Sequence, residues 1–555
     1  MADYYSTLKS AQQKAGNQGK NMLILPVTAL PNETGSGNLA TAEGRGFLDF
    51  AKQMWGINEV QLLPVGQYHK HKDHFPFYSG SSMDLGSHMI NIKDFVPEED
   101  YKSIVDANKE INRTNLENII QRHSPQEKAL KKLYDNITPD MKTEFEAFKK
   151  ESGEILEQKG LYKALVKIYK DHDYKHWSDL DKNLFNTDLV SLEQRNARIA
   201  EIHKLEPKEI DFYKFKQFLA EKSLAKAKAE LNSNGLKLSA DFICGYSYDE
   251  VWSHPKAFFG EKKMIFGLPA ANYNSKEGKA LLREKANFYA KHFDGFRVDA
   301  AWTYIKQPIT NINFGDEVLN IIEDEAKKVK GKDYLNDITF EFAASADDFL
   351  IYKGHRLKPS VKDRIKIYTS DHLSSSWGSN QNYLQRGWEK EKFIIGATNH
   401  DSSVMKFNES QAKVLSEILK IPEEKLKNKN EFIKAKFAEP ISAYNTMIYI
   451  RDVLGSSEGY QTLKISNDYE QKYFDSLKRG EGFNPMDALE KSFRAKGLDK
   501  TEPELYKKIV KYNKILTSSE KRNPALKYTA VVVCAVLLLC GAYKLFEKHQ
   551  STSSI

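Results

Sequence analysis

Three carboxylates stand at the ends of separate apolar runs. Asp299 lies in FDGFRVDAA (Phe293 to Ala301), Glu341 in ITFEFAA (Ile338 to Ala344), and Asp401 ends FIIGATNHD (Phe393 to Asp401). Breaking and remaking a glycosidic bond with retention needs a carboxylate nucleophile and a second carboxyl that acts first as acid and then as base, the two about 5 Å apart. Arg297 precedes Asp299 by two positions, so on a strand it shares the same face and can hold that carboxylate ionised. Glu341 sits between Phe340 and Phe342, and apolar neighbours raise a carboxyl toward the range a general acid requires. Asp401 follows Asn399 and His400; a carboxylate beside an imidazole can bind sugar hydroxyls and support an oxocarbenium-like transition state. Taken singly, each has a plainer reading: a structural Arg–Asp pair, a solvent-facing strand glutamate, and a polar turn or helix cap.

Residues at the ends of several strands converge only if those strands run parallel in one sheet. From Asn21 the chain alternates short apolar runs with segments of helical periodicity, the rhythm of an α/β fold. Strand candidates are MLILPV (Met22 to Val27), VQLLPV (Val60 to Val65), KLSADFICGY (Lys237 to Tyr246), the two runs around Asp299 and Glu341, IKIYTS (Ile365 to Ser370) and the run before Asp401. The amphipathic helix GRGFLDFAKQMW (Gly44 to Trp55) joins the first two. The expected architecture is a (β/α)₈ TIM barrel, whose strand C-termini open onto one face where active sites are built. Between about Asp94 and Asn234 the composition turns Lys- and Glu-rich but keeps Leu, Phe, Tyr and Trp at helical spacing, which predicts a helical insertion packed on the barrel. The expected layout is an N-terminal extension (1–20), a first barrel part (21–93), the insertion (94–235), the rest of the barrel (236–520) and a C-terminal transmembrane anchor (527–546).

With 40% hydrophobic and 29% charged residues in 555, the chain belongs among folded globular proteins. Its net charge of +7 arises from 83 basic and 76 acidic residues, interspersed, so no nucleic-acid partner is expected. Three cysteines, Cys244, Cys534 and Cys540, form no disulfide framework and no matched metal-ligand spacing, which fits a reducing compartment. The N-terminal residues hold no apolar signal core, so a cytoplasmic catalytic domain is expected. One segment departs from this picture: YTAVVVCAVLLLCGAY (Tyr528 to Tyr543) is uncharged and bounded by Lys527 and Lys544. Its 16 residues would span ~24 Å as a helix, enough to cross a bilayer with snorkelling lysines and local thinning. It is expected to anchor the chain to a membrane; the alternative is a buried terminal helix.

Assembled in order from about residue 22 to 460, these segments resemble the amylomaltases, glycoside hydrolase family 77, relatives of the α-amylases. The resemblance rests on LPVTALPNETGSGNLATAEGRGFLDFAKQMWGINEVQLLPVG, on FPFYSGSSMDLGSHMINI, on a Glu250-Val251-Trp252 in place of the family's Asp-Val-Trp, and on MIFGLPAANYN. It implies that Asp299 is the nucleophile, paired with Arg297, that Glu341 is the acid/base, and that Asp401 with His400 is the stabiliser. It further implies substrate binding by Tyr78, Ser79 and Trp252, and a loop near residues 264–274 that shields the intermediate from water. The chain departs from the family pattern at Ala300, where a histidine is usual, at Phe342-Ala343-Ala344 after the acid/base, and at Ser247 or Tyr248, where a carboxylate is usual.

The reading that follows is a retaining 4-α-glucanotransferase acting on α-1,4-glucans and maltooligosaccharides, with neither metal nor organic cofactor. The alternatives are an amylase-like or α-glucosidase hydrolase on the same barrel, and a membrane-tethered glucan-binding relative without catalysis.

Overall fold

The computed structural model describes most of residues 19–67, 81–109, 116–260 and 264–341, together with segments 351–352, 355–356, 366–369, 393–396, 409–428, 431–432, 434–435 and 446–449. These fall within the unit Asp3–Glu481; the second unit, Gly482–Ile555, lies outside the described residues, and with it the expected anchor at 527–546. No helix among the described residues is long and apolar enough to cross a membrane.

The chain opens with β1 (Asn21–Leu25), α1 (Ala42–Trp55) and β2 (Glu59–Leu62). Thr41 caps α1 by accepting the Gly44 N–H, and Gly56 ends it at φ 62°, a left-handed turn suited to glycine. Between β2 and β3 run α2 (Glu98–Lys109), α3 (Leu116–Asp135), α4 (Pro139–Glu151), α5 (Glu154–Tyr169), α6 (Leu192–Leu205) and the long α7 (Pro207–Ser233). The barrel then resumes with β3 (Lys237–Phe242), the short α8 (Tyr248–Ser253), α9 (Lys276–His292) and β4 (Gly295–Val298). It continues through α10 (Glu317–Lys330), β5 (Ile338–Glu341), β6 (Lys366–Thr369), β7 (Phe393–Gly396), α11 (Glu409–Leu419) and β8 (Thr446–Tyr449).

These strands close into a barrel in the order β1-β8-β7-β6-β5-β4-β3-β2, every pair parallel. Seven of them lie within or across the expected strand runs; β8 was not anticipated, because its four residues TMIY are too short a run to stand out. The β3–β4–β5 register sets Asp241 beside Arg297, and Arg297 beside Thr339. The alternate residues face the helices: Phe242 stacks on Phe296 at 5.2 Å, and Tyr289 of α9 lies 4.9 and 5.9 Å from the two rings. Since successive strand side chains point to opposite faces, Asp241 and Arg297 point into the barrel.

Helix α7 ties residues 84–94 to the barrel wall. Gln217 accepts from the Leu85 N–H at 3.0 Å and donates to the Leu85 carbonyl at 2.8 Å; Ser223 accepts from the Asn91 N–H, and the Tyr213 hydroxyl donates to Asp84. Helix α5 contributes Lys159, whose fully buried ammonium pairs with Asp249 at 3.2 Å, Glu250 at 3.1 Å and the Ser81 hydroxyl. Glu250 in turn accepts from the Ser82 N–H and hydroxyl and from the Ser247 N–H, so it caps α8 and fixes Ser81–Ser82 at once. Burial pushes Asp249 up, but Lys159 outweighs it and leaves the carboxyl below its usual range. Replacing Lys159 by Met would strand buried carboxylates without their cation, a loss of roughly 3–5 kcal/mol for a broken buried pair. Thermal unfolding of Lys159→Met should show a midpoint several degrees lower; an unchanged midpoint would show that the cluster contributes nothing to holding the insertion on the barrel.

Candidate active site

The barrel register brings two of the carboxyls singled out from sequence to one place. Because Arg297 pairs with Thr339 and Val298 with Phe340, the next step in the ladder sets Asp299 against Glu341. The chain turns there: the Asp299 N–H donates to the Phe242 carbonyl at 3.0 Å, and the Ala301 N–H to the Glu341 carbonyl at 2.9 Å. Ala300 takes φ 44°, a left-handed conformation uncommon for a residue with a Cβ. In that conformation its N–H donates to Glu341 Oε2 at 2.9 Å.

Arg297 is the centre of the site. Its guanidinium, 1% exposed, reaches Asp241 at 2.5 Å through Nη1, and Asp299 at 3.2 Å and Glu341 at 2.7 Å through Nη2. A planar fork with a permanent charge is suited to organising several carboxylates at fixed angles. Yet among the described residues this one guanidinium faces three carboxyl groups, so ionising all three in a buried space is opposed by their mutual repulsion. The arrangement favours keeping a proton.

The titration directions favour Glu341 as the group that keeps it. Burial pushes Glu341 up to about 7; Arg297 opposes the shift and Asp299 adds to it. Asp299 is also raised, first by burial and next by Asp241, against the pull of Arg297 and of hydrogen bonds from Glu341 and Cys244. Glu341 is thus the carboxyl that burial favours in its protonated form near neutral pH. With 28% of its side chain exposed, Asp299 is also the more open of the two, as Glu341 is 6% exposed. A nucleophile must be ionised and reachable, and an acid must be protonated near neutral pH. Among the described residues no group of three or more His, Cys, Asp or Glu side chains could hold a metal ion; this carboxyl cluster is occupied by the guanidinium.

Of the residues singled out from sequence, Arg297, Asp299 and Glu341 come together here. Asp401, His400, Tyr78 and Ser79 lie outside the described residues. Trp252 requires a correction: it is not a platform on the groove. It is 2% exposed, donates its indole N–H to the Asp181 carbonyl at 2.8 Å, and meets Phe185 at 4.8 Å, Tyr162 at 5.4 Å and Trp177 at 5.9 Å, so it joins α8 to the insertion. Asp241 was missed. Its one signal was an acid in the middle of the apolar run SADFIC, at the position where a strand can bury charge only against a partner.

Residues 25–279 match the family model described as 4-alpha-glucanotransferase. Comparison with curated protein sequences yields no match. Among solved structures, the fold is similar to the amylomaltase from Streptococcus agalactiae in complex with acarbose, with a TM-score of 0.58 and 14% identity over 82% of this chain and 99% of that one. It is also similar to the amylomaltase from Corynebacterium glutamicum, with a TM-score of 0.54 and 14% identity over 81% of this chain and 70% of that one. At such identity the two structures speak for the fold, and the family pattern in residues 25–279 speaks for the kind of enzyme. Residues 25–279, somewhat under half of the chain, thus carry the pattern of glycoside hydrolase family 77, the 4-alpha-glucanotransferases.

Proposed function

We propose that the protein transfers segments of α-1,4-glucan between maltooligosaccharides with retention, through a covalent glycosyl-enzyme. The observation that carries this reading is the single guanidinium of Arg297 bridging Asp299 and Glu341 at the C-terminal ends of neighbouring strands. Asp299 attacks the anomeric carbon while the Glu341 carboxyl gives its proton to the glycosidic oxygen, and the bond from C1 to that oxygen breaks. Glu341, now a carboxylate, takes the proton from the 4-hydroxyl of an acceptor sugar; that oxygen attacks C1 and releases Asp299. Asp401 and His400 are proposed to stabilise the charged transition state, and Tyr78 and Ser79 to bind sugar on the donor side. This chemistry requires no cofactor.

The burial that raises Glu341 to about 7 suits such a cycle, because it keeps the acid's proton available near neutral pH. Arg297 favours the ionised form of both carboxyls, which stabilises Asp299 as nucleophile and as leaving group.

Incubation of the full chain with maltotriose should give a ladder of longer maltodextrins together with glucose. Shorter sugars alone would replace the transferase by a hydrolase, and glucan binding with no conversion would replace both by a non-catalytic relative. Asp299→Asn should abolish turnover, and Glu341→Gln should lower kcat on the order of 10²–10⁴-fold while leaving the glucan affinity near that of the wild type.

The pH dependence has a defined sign. Activity needs Glu341 protonated and Asp299 ionised, so kcat/KM should fall as pH rises through about 7, where Glu341 loses its proton. It should also fall on the acid side at a pH above that of an ordinary aspartate, since Asp299 is raised. The pair titrates as a unit, so the two limbs belong to the dyad. A profile that stays flat across neutral pH would remove Glu341 from the role of acid.

We also propose that Tyr528–Tyr543 anchors the catalytic unit on the cytoplasmic face of a membrane, on the strength of its uninterrupted apolar composition between flanking lysines. Cell fractionation of the full chain beside one ending at Pro524 should place only the former with membranes. Equal solubility of the two would sink this idea.

A further inference from the structure

Lys285 is a charge in an unexpected place. It sits on α9 among Leu281, Leu282 and Tyr289, on the stripe that faces the barrel, and it is 0% exposed. No carboxylate of the described residues forms an ion pair with it. Its ammonium donates to the carbonyls of Ile243 and of Gly245, the latter at 3.1 Å, and lies 3.5 Å from the Tyr304 hydroxyl. The rings of Phe242 and Tyr246 flank it at 4.7 and 4.4 Å. Its donors are thus spent on backbone carbonyls and its charge on two aromatic faces.

A buried ammonium is a poor way to fill space. An apolar side chain of the same length would avoid the desolvation cost, which pulls Lys285 down to about 8. What the ammonium supplies, and an apolar chain cannot, is a grip on two carbonyls that flank one residue. That residue is Cys244, 2% exposed, and the strand end just before it holds the nucleophile's segment: the Asp299 N–H donates to the Phe242 carbonyl at 3.0 Å. The turn is held from other directions as well: the Tyr304 hydroxyl donates to the Ile243 carbonyl at 2.8 Å, and the Tyr246 N–H donates to the Pro269 carbonyl at 3.1 Å. A Cβ on Gly245 would collide with Leu268, so the backbone there is pressed between the hairpin at 264–269 and the lysine.

We propose that Lys285 is a positioning residue for the nucleophile: by gripping the carbonyls on both sides of Cys244 it fixes the turn that holds the Asp299 N–H at Phe242 and the Tyr304 hydroxyl at Ile243, and with it the attacking oxygen. The proposal rests on Asp299 being the nucleophile. Misplacing a reacting atom slows the step that uses it more than it weakens binding of the rest of the substrate.

The test separates the two claims. A 5-fluoro-α-glucosyl fluoride, which accumulates the glycosyl-enzyme, is reacted with the full chain, and the labelled peptide and labelling rate are read by mass spectrometry. Wild-type protein labelled elsewhere than at Asp299 would overturn the nucleophile assignment on which this proposal stands. With the label at Asp299, Lys285→Met should be labelled about tenfold more slowly or worse, the loss expected of one hydrogen bond to a charged group, with KM for maltotriose within about twofold of wild type. Tyr304→Phe, which leaves the lysine in place and removes the other donor to the Ile243 carbonyl, should be slowed in the same direction. Should Lys285→Met not fold, Tyr304→Phe decides alone. Labelling of the folded variants at the wild-type rate, whatever their melting temperature, would reduce Lys285 to a structural residue and overturn the proposal.

Discussion

Everything at the centre of this molecule depends on burying one guanidinium. Arg297 is 1% exposed, and an isolated charge at that depth is prohibitively costly, so carboxylates must meet it from the neighbouring strands. They come from β3, from the turn after β4, and from the end of β5. That demand constrains the strand register: a slip of one residue at β3 or β5 would carry Asp241 or Glu341 to the helix side and bring Phe242 or Phe340 against the charge. The polar site and the apolar core are therefore two faces of one arrangement. Phe242 and Phe296 meet Tyr289 on the outside because Asp241 and Arg297 meet each other within.

The same logic recurs where the insertion joins the barrel. Lys159 is buried against Asp249 and Glu250, and Glu250 also accepts from Ser82 and Ser247. Residues 81–94, which lack regular strands or long helices of their own, borrow order from α5, α7 and α8 through directional bonds. A loop that is bonded at Ser82, Leu85 and Asn91 to two different helices has few alternative conformations. Trp252 supplies the apolar part of that junction, which is why its ring is enclosed by Tyr162, Trp177 and Phe185 and not open to solvent.

Much of the site was legible before the fold was known, and the reason is local. Arg297, Asp299 and Glu341 sit at the ends of apolar runs, so alternation along a strand and the geometry of parallel barrels suffice to bring them together. What escaped notice depends on facts that no local pattern contains. Asp241 matters because of the β3–β4 register, and a single acid inside SADFIC does not disclose its partner. Lys285 and Lys159 look like two more members of a population of 83 basic residues until the helix faces are known. Trp252 was misassigned because an aromatic residue near a groove suits a sugar as well as it suits a core, and the choice was made by Trp177 and Phe185, about seventy residues away in the chain.

The turn at Ala300 connects the two halves of the chemistry. An alanine at φ 44° departs from the conformations that residues with a Cβ prefer, at a cost of order 1–2 kcal/mol. A left-handed turn at this point directs the Ala300 N–H onto Glu341 Oε2. That N–H favours the ionised form of Glu341 and so opposes the burial that raises it. Arg297 works in the same sense, and Asp299 against it. The affinity of Glu341 for its proton is thus a balance among burial, one guanidinium, one carboxylate and one peptide N–H. Three of these four come from residues 297–300. Any movement of residues 297–300 therefore acts on Asp299 and on Glu341 together, and the two carboxyls cannot be tuned independently.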